Sequence, residues 1–314
     1  MTNQPLFSVL IANYNNGISL MAAIESVRLQ TYPNWEIILV DDASTDNSHE
    51  LYKQLEQDDR IHIYYNAQNK GCGYTKHRCA ELANGEICGF LDPDDMLTED
   101  ALELESIIHI KHPKVAVVYS KVLYCDADYN VFEAGSLPNM KKGQTYFDHR
   151  YHGAMNFASY KNALYKLTDG INPNLKAGVD QDLYFKIEEK GDVYLLDKFT
   201  YKYVTKGNKS SITSNFNTYA RLWYWNLIAR RDACIRRNIP EDILIADLQR
   251  ILDNYAKKLI VQERDLVIQN VIEDGIREQV FRKELEMHSS KAYRLGKFLL
   301  KPFSWIRGIL KRGE

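Results

Sequence analysis

The first hundred residues alternate short apolar runs with stretches of helical periodicity. The apolar runs have the length of strands, and between them apolar residues recur every three or four positions. Strands that alternate with helices predict right-handed crossovers and a mostly parallel sheet, so the expected fold class is α/β. The expected strands are residues 7–11, 35–40, 61–65 and 87–91, and the expected helices are 19–30, 47–56 and 75–83.

The remainder of the chain follows a less regular pattern. Residues after 126 are irregular and rich in Gly, Tyr and Asn, and helical periodicity dominates from residue 216, with a break expected at Pro240. The further expected helices are 99–112 and 180–190, and the further expected strands are 115–124, 193–196 and 201–204.

Polar residues directly follow three of the early strands. Residues 13–15, 41–44 and 92–95 are rich in Asp and Asn and begin where the apolar runs end. Because the ligand site of an open α/β sheet lies beyond the carboxyl ends of its strands, these segments are expected to line one site.

The segment Asp92-Pro93-Asp94-Asp95 carries three carboxylates in four residues. Carboxylates packed this closely repel one another unless a cation lies among them, and such oxygen ligands suit Mn²⁺ or Mg²⁺ shared with phosphate oxygens. The alternative is that Asp94 or Asp95 caps the next helix. Asp42 offers a similar choice, because its carboxylate could accept hydrogen bonds from a nucleobase or ribose, or could belong to a turn and helix cap.

The loop at residues 69–76 is basic, contains glycines and leads into a helix. A diphosphate could bind at such a helix start and at Lys76. The loop lacks the full G-x-G-x-x-G motif and the Walker spacing, so the sequence predicts neither a dinucleotide-binding fold nor a P-loop.

Composition narrows the class of protein. The formal charge of −2 gives no reason to expect nucleic-acid binding. The five cysteines are odd in number and form no C-x-x-C pair, which argues against a disulfide framework and for a reducing compartment. The first residues have no signal-peptide pattern, and no apolar run is long enough to span a bilayer. We therefore expect a cytoplasmic protein.

Four segments together resemble the family 2 glycosyltransferases of the GT-A fold. They are SVLIANYNN (8–16), ESVRLQTYPNWEIILVDDASTDNS (25–48), NKGCGYTKHRCAELANGEICGFLDPDD (69–95) and AGVDQDLYFKIEEKGDVYLLD (177–197). The resemblance implies a Rossmann-like, mostly parallel central sheet flanked by helices, with a C-terminal helical extension. It also implies inverting transfer of a hexose or N-acetylhexosamine from a nucleotide diphosphate, with UDP favoured, to a glycan or lipid-linked hydroxyl in cell-surface polysaccharide synthesis.

The resemblance assigns roles to individual residues. Nucleotide-sugar binding would involve Ala12, Tyr14, Asp42, Lys76, Asp92, Asp94 and Lys206, the metal would be bound by Asp94 and Asp95, and the catalytic base would be Asp180. An inverting transfer needs one base for the acceptor proton and a cation for the departing diphosphate, and the sequence supplies separate carboxylates for the two tasks. The alternative for Asp180 is capping of the helix that follows it.

Two positions depart from the family pattern. Lys76 stands where relatives often have Arg, which keeps the charge but not the bidentate geometry. Lys206 stands where many relatives have a metal-binding His, and a protonated lysine can pair with a diphosphate but cannot bind a metal.

The domain boundaries follow from the resemblance and from the charge pattern. A glycosyltransferase domain is expected at 1–214, with a nucleotide-sugar half at 1–95 and an acceptor half at 96–214, followed by a helical extension at 215–290. Residues 291–314 contain seven Lys or Arg against one acid and carry an apolar stripe at helical spacing. This basic amphipathic segment predicts peripheral binding to an anionic membrane surface at the inner face of the membrane. The alternative is that the stripe packs as ordinary core.

Two other functions fit parts of the sequence. A pseudoenzyme would keep the nucleotide pocket without turnover, and the replacement of a metal-binding His by Lys206 leaves that reading open. A sugar-phosphate nucleotidyltransferase shares the broad architecture, but it normally needs a glycine-rich basic loop after the first strand. This chain has Ala12-Asn13-Tyr14-Asn15-Asn16-Gly17 there.

Overall fold

The protein divides into two compact units, Met1–Ser214 and Asn215–Glu314. The structure is a computed structural model that describes residues 4–137, 143–149, 157–206 and 216–240. The segment predicted to bind membranes, 291–314, and most of the helical extension predicted at 215–290 lie outside the described residues.

Four parallel strands form the first half of the sheet. Their order across the sheet is β3-β2-β1-β4, and nearly every residue of β1, β2 and β4 is buried. Strands buried on both faces need continuous apolar runs, which explains why these segments show no polar alternation. The four are β1 (Phe7–Asn13), β2 (Trp35–Asp41), β3 (Ile61–Tyr65) and β4 (Ile87–Phe90).

Three helices connect these strands, and the core forms where they pack on the sheet. Phe7 and Ile11 of β1 belong to one buried cluster with Leu20, Ile24 and Val27 of the first helix. The helices are α1 (Gly17–Arg28), α2 (Ser48–Leu55) and α3 (Cys72–Leu82). Helix α3 begins three residues before the predicted start at residue 75, because Gly71 turns the chain with a positive φ of 89°.

The second half of the sheet is mixed. Strand β8 runs antiparallel between β4 and β6, and β6 pairs with β9 in parallel. The strands of this half are β5 (Met96–Leu97), β6 (Val115–Asp126), β7 (Val131–Ala134), β8 (Ala158–Lys161) and β9 (Asp192–Lys206). The helices are α4 (Ala101–Lys111), α5 (Tyr146–His149), α6 (Asn162–Tyr165) and α7 (Val179–Glu188).

The structure also differs from the sequence prediction in the strands of the second half of the sheet. The separate strands expected at 193–196 and 201–204 form a single strand, β9, whose register shifts opposite Ser120 and Lys121. That irregularity interrupts the apolar pattern without ending the pairing. Strands β5, β7 and β8 were not predicted, because each is only two to four residues long and depends on longer neighbours for its pairing.

The second unit contributes helix α8 (Phe216–Arg236) to the described part of the chain. The helix ends before Pro240, as the sequence predicts. Within the described residues, no helix combines the length and the apolar character that a membrane span requires.

Candidate active site

The carboxyl ends of β1 and β2 lie side by side at one edge of the sheet. Asn13 pairs in register with Asp41, and both side chains are fully buried. The Asn13 amide donates to the Tyr52 oxygen at 2.7 Å, and the Tyr52 hydroxyl donates to Asp41 at 2.5 Å. These buried bonds fix the ends of β1 and β2 relative to α2. Of the residues predicted to bind the nucleotide-sugar, Ala12 is half-buried on β1, and Tyr14 is 46% exposed just beyond it.

Asp42 organises the loop that leads into α3. Its carboxylate accepts hydrogen bonds from the backbone N–H groups of Lys70 and Gly71 and from the Asn66 amide, each at 2.8 Å. The alternative role as a helix cap does not hold, because Asn47 occupies the cap position of α2. Since each carboxylate oxygen has two lone pairs, Asp42 retains capacity for a nucleotide contact, and that role stays a prediction.

Asp95 is the buried member of the acidic segment that follows β4. Its carboxylate accepts hydrogen bonds from the Tyr201 hydroxyl and the Val204 N–H, both at 2.8 Å. Burial, and then the charges of Asp94 and Asp92, raise the pKa of Asp95 well above its usual range. The cap alternative fails here too, because Asp100 stands at the cap position of α4. A bound cation would relieve the repulsion among these three carboxylates.

Lys76 connects this acidic segment to the predicted catalytic base. Its ammonium lies 3.0 Å from Asp92 and 2.8 Å from Asp180, and the lysine is only 5% exposed. Burial alone would lower the pKa of Lys76, but the charges of Asp180 and Asp92 raise it well above the usual range, so the side chain stays charged. The sequence predicted a diphosphate contact for Lys76, and the structure adds a bridge between two carboxylates.

Asp180 lies in the first turn of α7 without capping it. Gly178 occupies the cap position with a positive φ of 65°, and the Asp180 side chain turns instead to Lys76. The neighbouring Asp182 has a structural role, because its buried carboxylate binds Lys186 at 2.8 Å and the Asn172 N–H at 2.8 Å. Of these two acids, only Asp180 faces the acidic segment through Lys76.

Two loops bring the start of α3 and the segment before α7 together. The Gly73 N–H at the start of α3 donates to the Leu175 carbonyl at 3.1 Å, and Lys176 donates to the Lys70 carbonyl at 3.3 Å. A Cβ atom on Gly73 would lie 2.4 Å from the Leu175 oxygen, so only glycine permits this approach. Neither this contact nor the bond of Tyr201 to Asp95 is visible in the sequence, because in each case the two partners are about a hundred residues apart.

The last predicted site residue is only partly described. The backbone of Lys206 ends β9 beside Asp126, and its side chain lies outside the described residues. Two residues earlier, Val204 supplies the N–H that binds Asp95, so the end of this strand does border the acidic segment.

The carboxylates fit a divalent cation that is shared with a ligand. Within the described ranges, no three His, Cys, Asp or Glu side chains gather into a metal-binding group. Asp94 and Asp95 stay the predicted ligands, and two carboxylates would hold Mn²⁺ or Mg²⁺ together with phosphate oxygens and water, which is how these hard cations are commonly bound beside phosphates.

A family model describes about half of this chain. The model of glycosyl transferase family 2 matches residues 8–169, which include Asp42, Lys76 and the acidic segment. The chain belongs to glycosyl transferase family 2. The resemblance inferred from the motifs is thereby confirmed.

Two curated relatives are named for the synthesis of polysaccharides. TuaG of Bacillus subtilis, named for teichuronic acid biosynthesis, is 40% identical over 105 residues, which cover 33% of this chain and 42% of TuaG. The chondroitin synthase of Escherichia coli is 28% identical over 211 residues, which cover 66% of this chain and 30% of the synthase. The chain therefore spans less than half the length of either relative.

Solved structures confirm the predicted fold class. The crystal structure of residues 1–349 of S. aureus TarS in complex with UDP-GlcNAc aligns with a TM-score of 0.63 and 18% identity, covering 84% of this chain and 79% of TarS 1–349. The α/β architecture with its largely parallel central sheet is thus shared with TarS.

Proposed function

We propose that this family 2 member is an inverting, metal-dependent glycosyltransferase. It would move a hexose or N-acetylhexosamine from a nucleotide diphosphate, UDP being favoured, to a hydroxyl of a glycan or lipid-linked acceptor. The single observation that carries the proposal is the bridge through Lys76, which holds Asp180 and Asp92 on one ammonium group although Asp180 lies 104 residues from Lys76 in sequence. A candidate base and the acidic segment thus share one site.

The chemistry follows from these positions. The acceptor oxygen attacks the anomeric carbon, Asp180 takes the hydroxyl proton, and the bond from that carbon to the diphosphate breaks, so the nucleotide diphosphate leaves with the electron pair. Attack from the face opposite the leaving group inverts the anomeric centre. A cation held by Asp94 and Asp95 would supply positive charge for the departing diphosphate.

The donor and the acceptor are proposed from the relatives. TarS has been crystallised with UDP-GlcNAc, which supports a UDP-sugar donor. TuaG and the chondroitin synthase are named for polysaccharides, which supports a growing glycan or its lipid-linked precursor as the acceptor. A protein that acts on such an acceptor would work in the cytoplasm, peripherally on the inner face of the membrane.

Nucleotide release from a panel of UDP-, GDP- and dTDP-sugars tests the proposal. We expect release from one donor with Mn²⁺, no release with chelator, and loss of at least a hundredfold in Asp95→Ala and Asp180→Ala. Asp59→Ala is the matched control, because it removes an exposed carboxylate just before β3, at the edge of the sheet opposite the site. We expect this control to keep wild-type release.

The possible outcomes separate the candidate functions. UDP binding without release from any donor, even with added glycan acceptors, would favour the pseudoenzyme. Formation of a nucleotide-sugar from a sugar phosphate and a nucleoside triphosphate would identify a nucleotidyltransferase. If no nucleotide bound at all, the proposal would be wrong.

A further inference from the structure

The hairpin between β6 and β7 holds a tyrosine in a backbone conformation that favours glycine. Tyr129 has a φ of 60° at the tip of the hairpin. The Tyr129 N–H donates to the Asp126 carbonyl at 3.0 Å, and the Asp126 N–H donates to the Asn130 carbonyl at 3.1 Å. The Asp126 carboxylate also accepts the N–H groups of Asp128 and Asn130 at 3.0 and 2.9 Å. These bonds define the turn closely.

A tyrosine at this position works against local stability. The left-handed region costs a residue with a Cβ on the order of 1 kcal/mol, and hairpins of this kind normally place Gly or Asn there. Such strain persists when the surrounding structure enforces it, and it is concentrated at functional sites. The hydrogen bonds of Asp126 hold the backbone of Tyr129 in this conformation.

The hairpin lies next to the acidic segment. Cys125 pairs in register with Val204, and the Val204 N–H donates to Asp95 at 2.8 Å, so the end of β6 is one strand away from that carboxylate. Tyr129 is half-buried although it stands at a hairpin tip. Burial, and then the charges of Asp95 and Asp94, raise the pKa of its phenol.

We propose that Tyr129 is a donor-binding residue whose phenol O–H donates a hydrogen bond to the diphosphate of the nucleotide-sugar. This inference rests on the proposed function, since it needs a diphosphate at Asp94 and Asp95. A phenol is protonated at neutral pH and can donate, whereas an ionised carboxylate can only accept. An oxygen-rich anion at the acidic segment is therefore the ligand that Tyr129 complements.

Three variants test the inference in the full-length protein. Tyr129→Phe removes only the hydroxyl, Tyr129→Gly also removes the ring and the strain, and Phe132→Ala is the control, because it removes another aromatic side chain from the same hairpin. Calorimetry would measure binding of UDP and of UMP, which lacks the second phosphate, with Mn²⁺ present, and donor turnover would give kcat and KM.

We expect both Tyr129 variants to bind UDP about tenfold more weakly or worse, because a hydrogen bond to a charged group is lost. UMP binding and the Phe132→Ala control should stay within twofold of wild type. Tyr129→Gly should also melt at a higher temperature than wild type because the backbone strain is relieved.

Wild-type UDP affinity in Tyr129→Phe would overturn the inference, whether or not Tyr129→Gly binds normally. An equal loss of UDP and UMP affinity in Tyr129→Phe would also overturn it, because the contact would then not be with the second phosphate. If the wild-type protein itself bound no UDP, the failure would belong to the proposed function.

Discussion

At the scale of a single residue, Lys76 combines two carboxylate contacts with a buried position. It neutralises part of the acidic segment through Asp92, it orients Asp180, and it fills a buried position in α3 that few charged groups could occupy. A buried ammonium with two carboxylate partners is stable only as a set, because removing the cation leaves two acids facing each other. Asp180, the proposed base, and Asp92 are therefore coupled through one side chain.

We predict that Lys76→Met lowers kcat about a hundredfold or more, because a misplaced base loses its alignment with the acceptor hydroxyl. Lys76→Arg keeps the charge and should retain more of the wild-type kcat than Lys76→Met does. Steady-state kinetics on the donor identified by the release assay would measure both variants. Equal activity of Lys76→Met and wild type would show that the bridge does not position the base.

Glu105 is a second buried acid, and it lies on α4, outside the acidic segment. It accepts a hydrogen bond from Ser159 at 2.6 Å, and His109 contacts the same hydroxyl at 2.9 Å. Burial raises the pKa of Glu105 to about 8, against the lowering effect of hydrogen bonds from Ser159, Ser120 and Thr200. In the unfolded chain the group titrates near 4.5.

The raised pKa predicts a pH-dependent stability. Between pH 4.5 and 8 the unfolded chain releases the Glu105 proton while the folded protein keeps it, so stability falls as pH rises, by up to about 1.4 kcal/mol per pH unit. A glutamine does not titrate, so the stability of Glu105→Gln should lack this dependence on pH. Urea unfolding at pH 5, 6.5 and 8 would show the free energies of wild type and variant diverging. Parallel curves would mean that Glu105 does not titrate in this range.

At the scale of elements, α3 and α7 form the site by approaching through their first turns. Helix α3 carries Lys76 and α7 carries Asp180, and the contact between Gly73 and Leu175 brings the two starts together. Both helices begin at the same edge of the sheet, where β4 ends and the acidic segment follows. We therefore expect a change at the start of either helix to affect both the proposed base, Asp180, and the contacts of Lys76 with the acidic segment.

Gly73→Ala is predicted to disrupt this approach. The added methyl would lie 2.4 Å from the Leu175 oxygen and 3.0 Å from the Asn172 oxygen, and both are backbone atoms that cannot move alone. We expect kcat/KM to fall at least tenfold and the melting temperature to drop by several degrees. Tyr74→Ala on the same turn is the control, because that side chain is 37% exposed. A Gly73→Ala protein with normal kinetics would contradict the role of the contact.

At the scale of the whole molecule, residues 291–314 carry a net charge of +6 against −8 for the rest of the chain. A basic amphipathic segment binds anionic lipid through its charges and its apolar stripe together. Membrane binding would bring a lipid-linked acceptor to the site without any spanning helix. This segment lies outside the described residues, so the idea remains a prediction from the sequence.

Deleting residues 291–314 should abolish co-sedimentation with vesicles that contain anionic lipid, while the circular dichroism spectrum keeps its α/β shape. Vesicles of neutral lipid are the control, and the wild-type protein should bind them far more weakly. High salt should weaken the binding to anionic vesicles because it screens the charges. Undiminished vesicle binding by the truncated protein would show that the segment is not the anchor.

The sequence by itself determined the family, the early strands and helices, and the edge of the sheet where the predicted site residues lie. These features are local: apolar runs, helical spacing and the acids that end each strand are all visible within a few residues. Only the tertiary structure decided which side chains these acids contact. Tyr201 binds Asp95 across 106 residues and Lys76 binds Asp180 across 104, while Asp41 and Asp182 are committed to buried structural bonds. Such pairings depend on how the sheet brings distant segments together, and no periodicity along the chain encodes them.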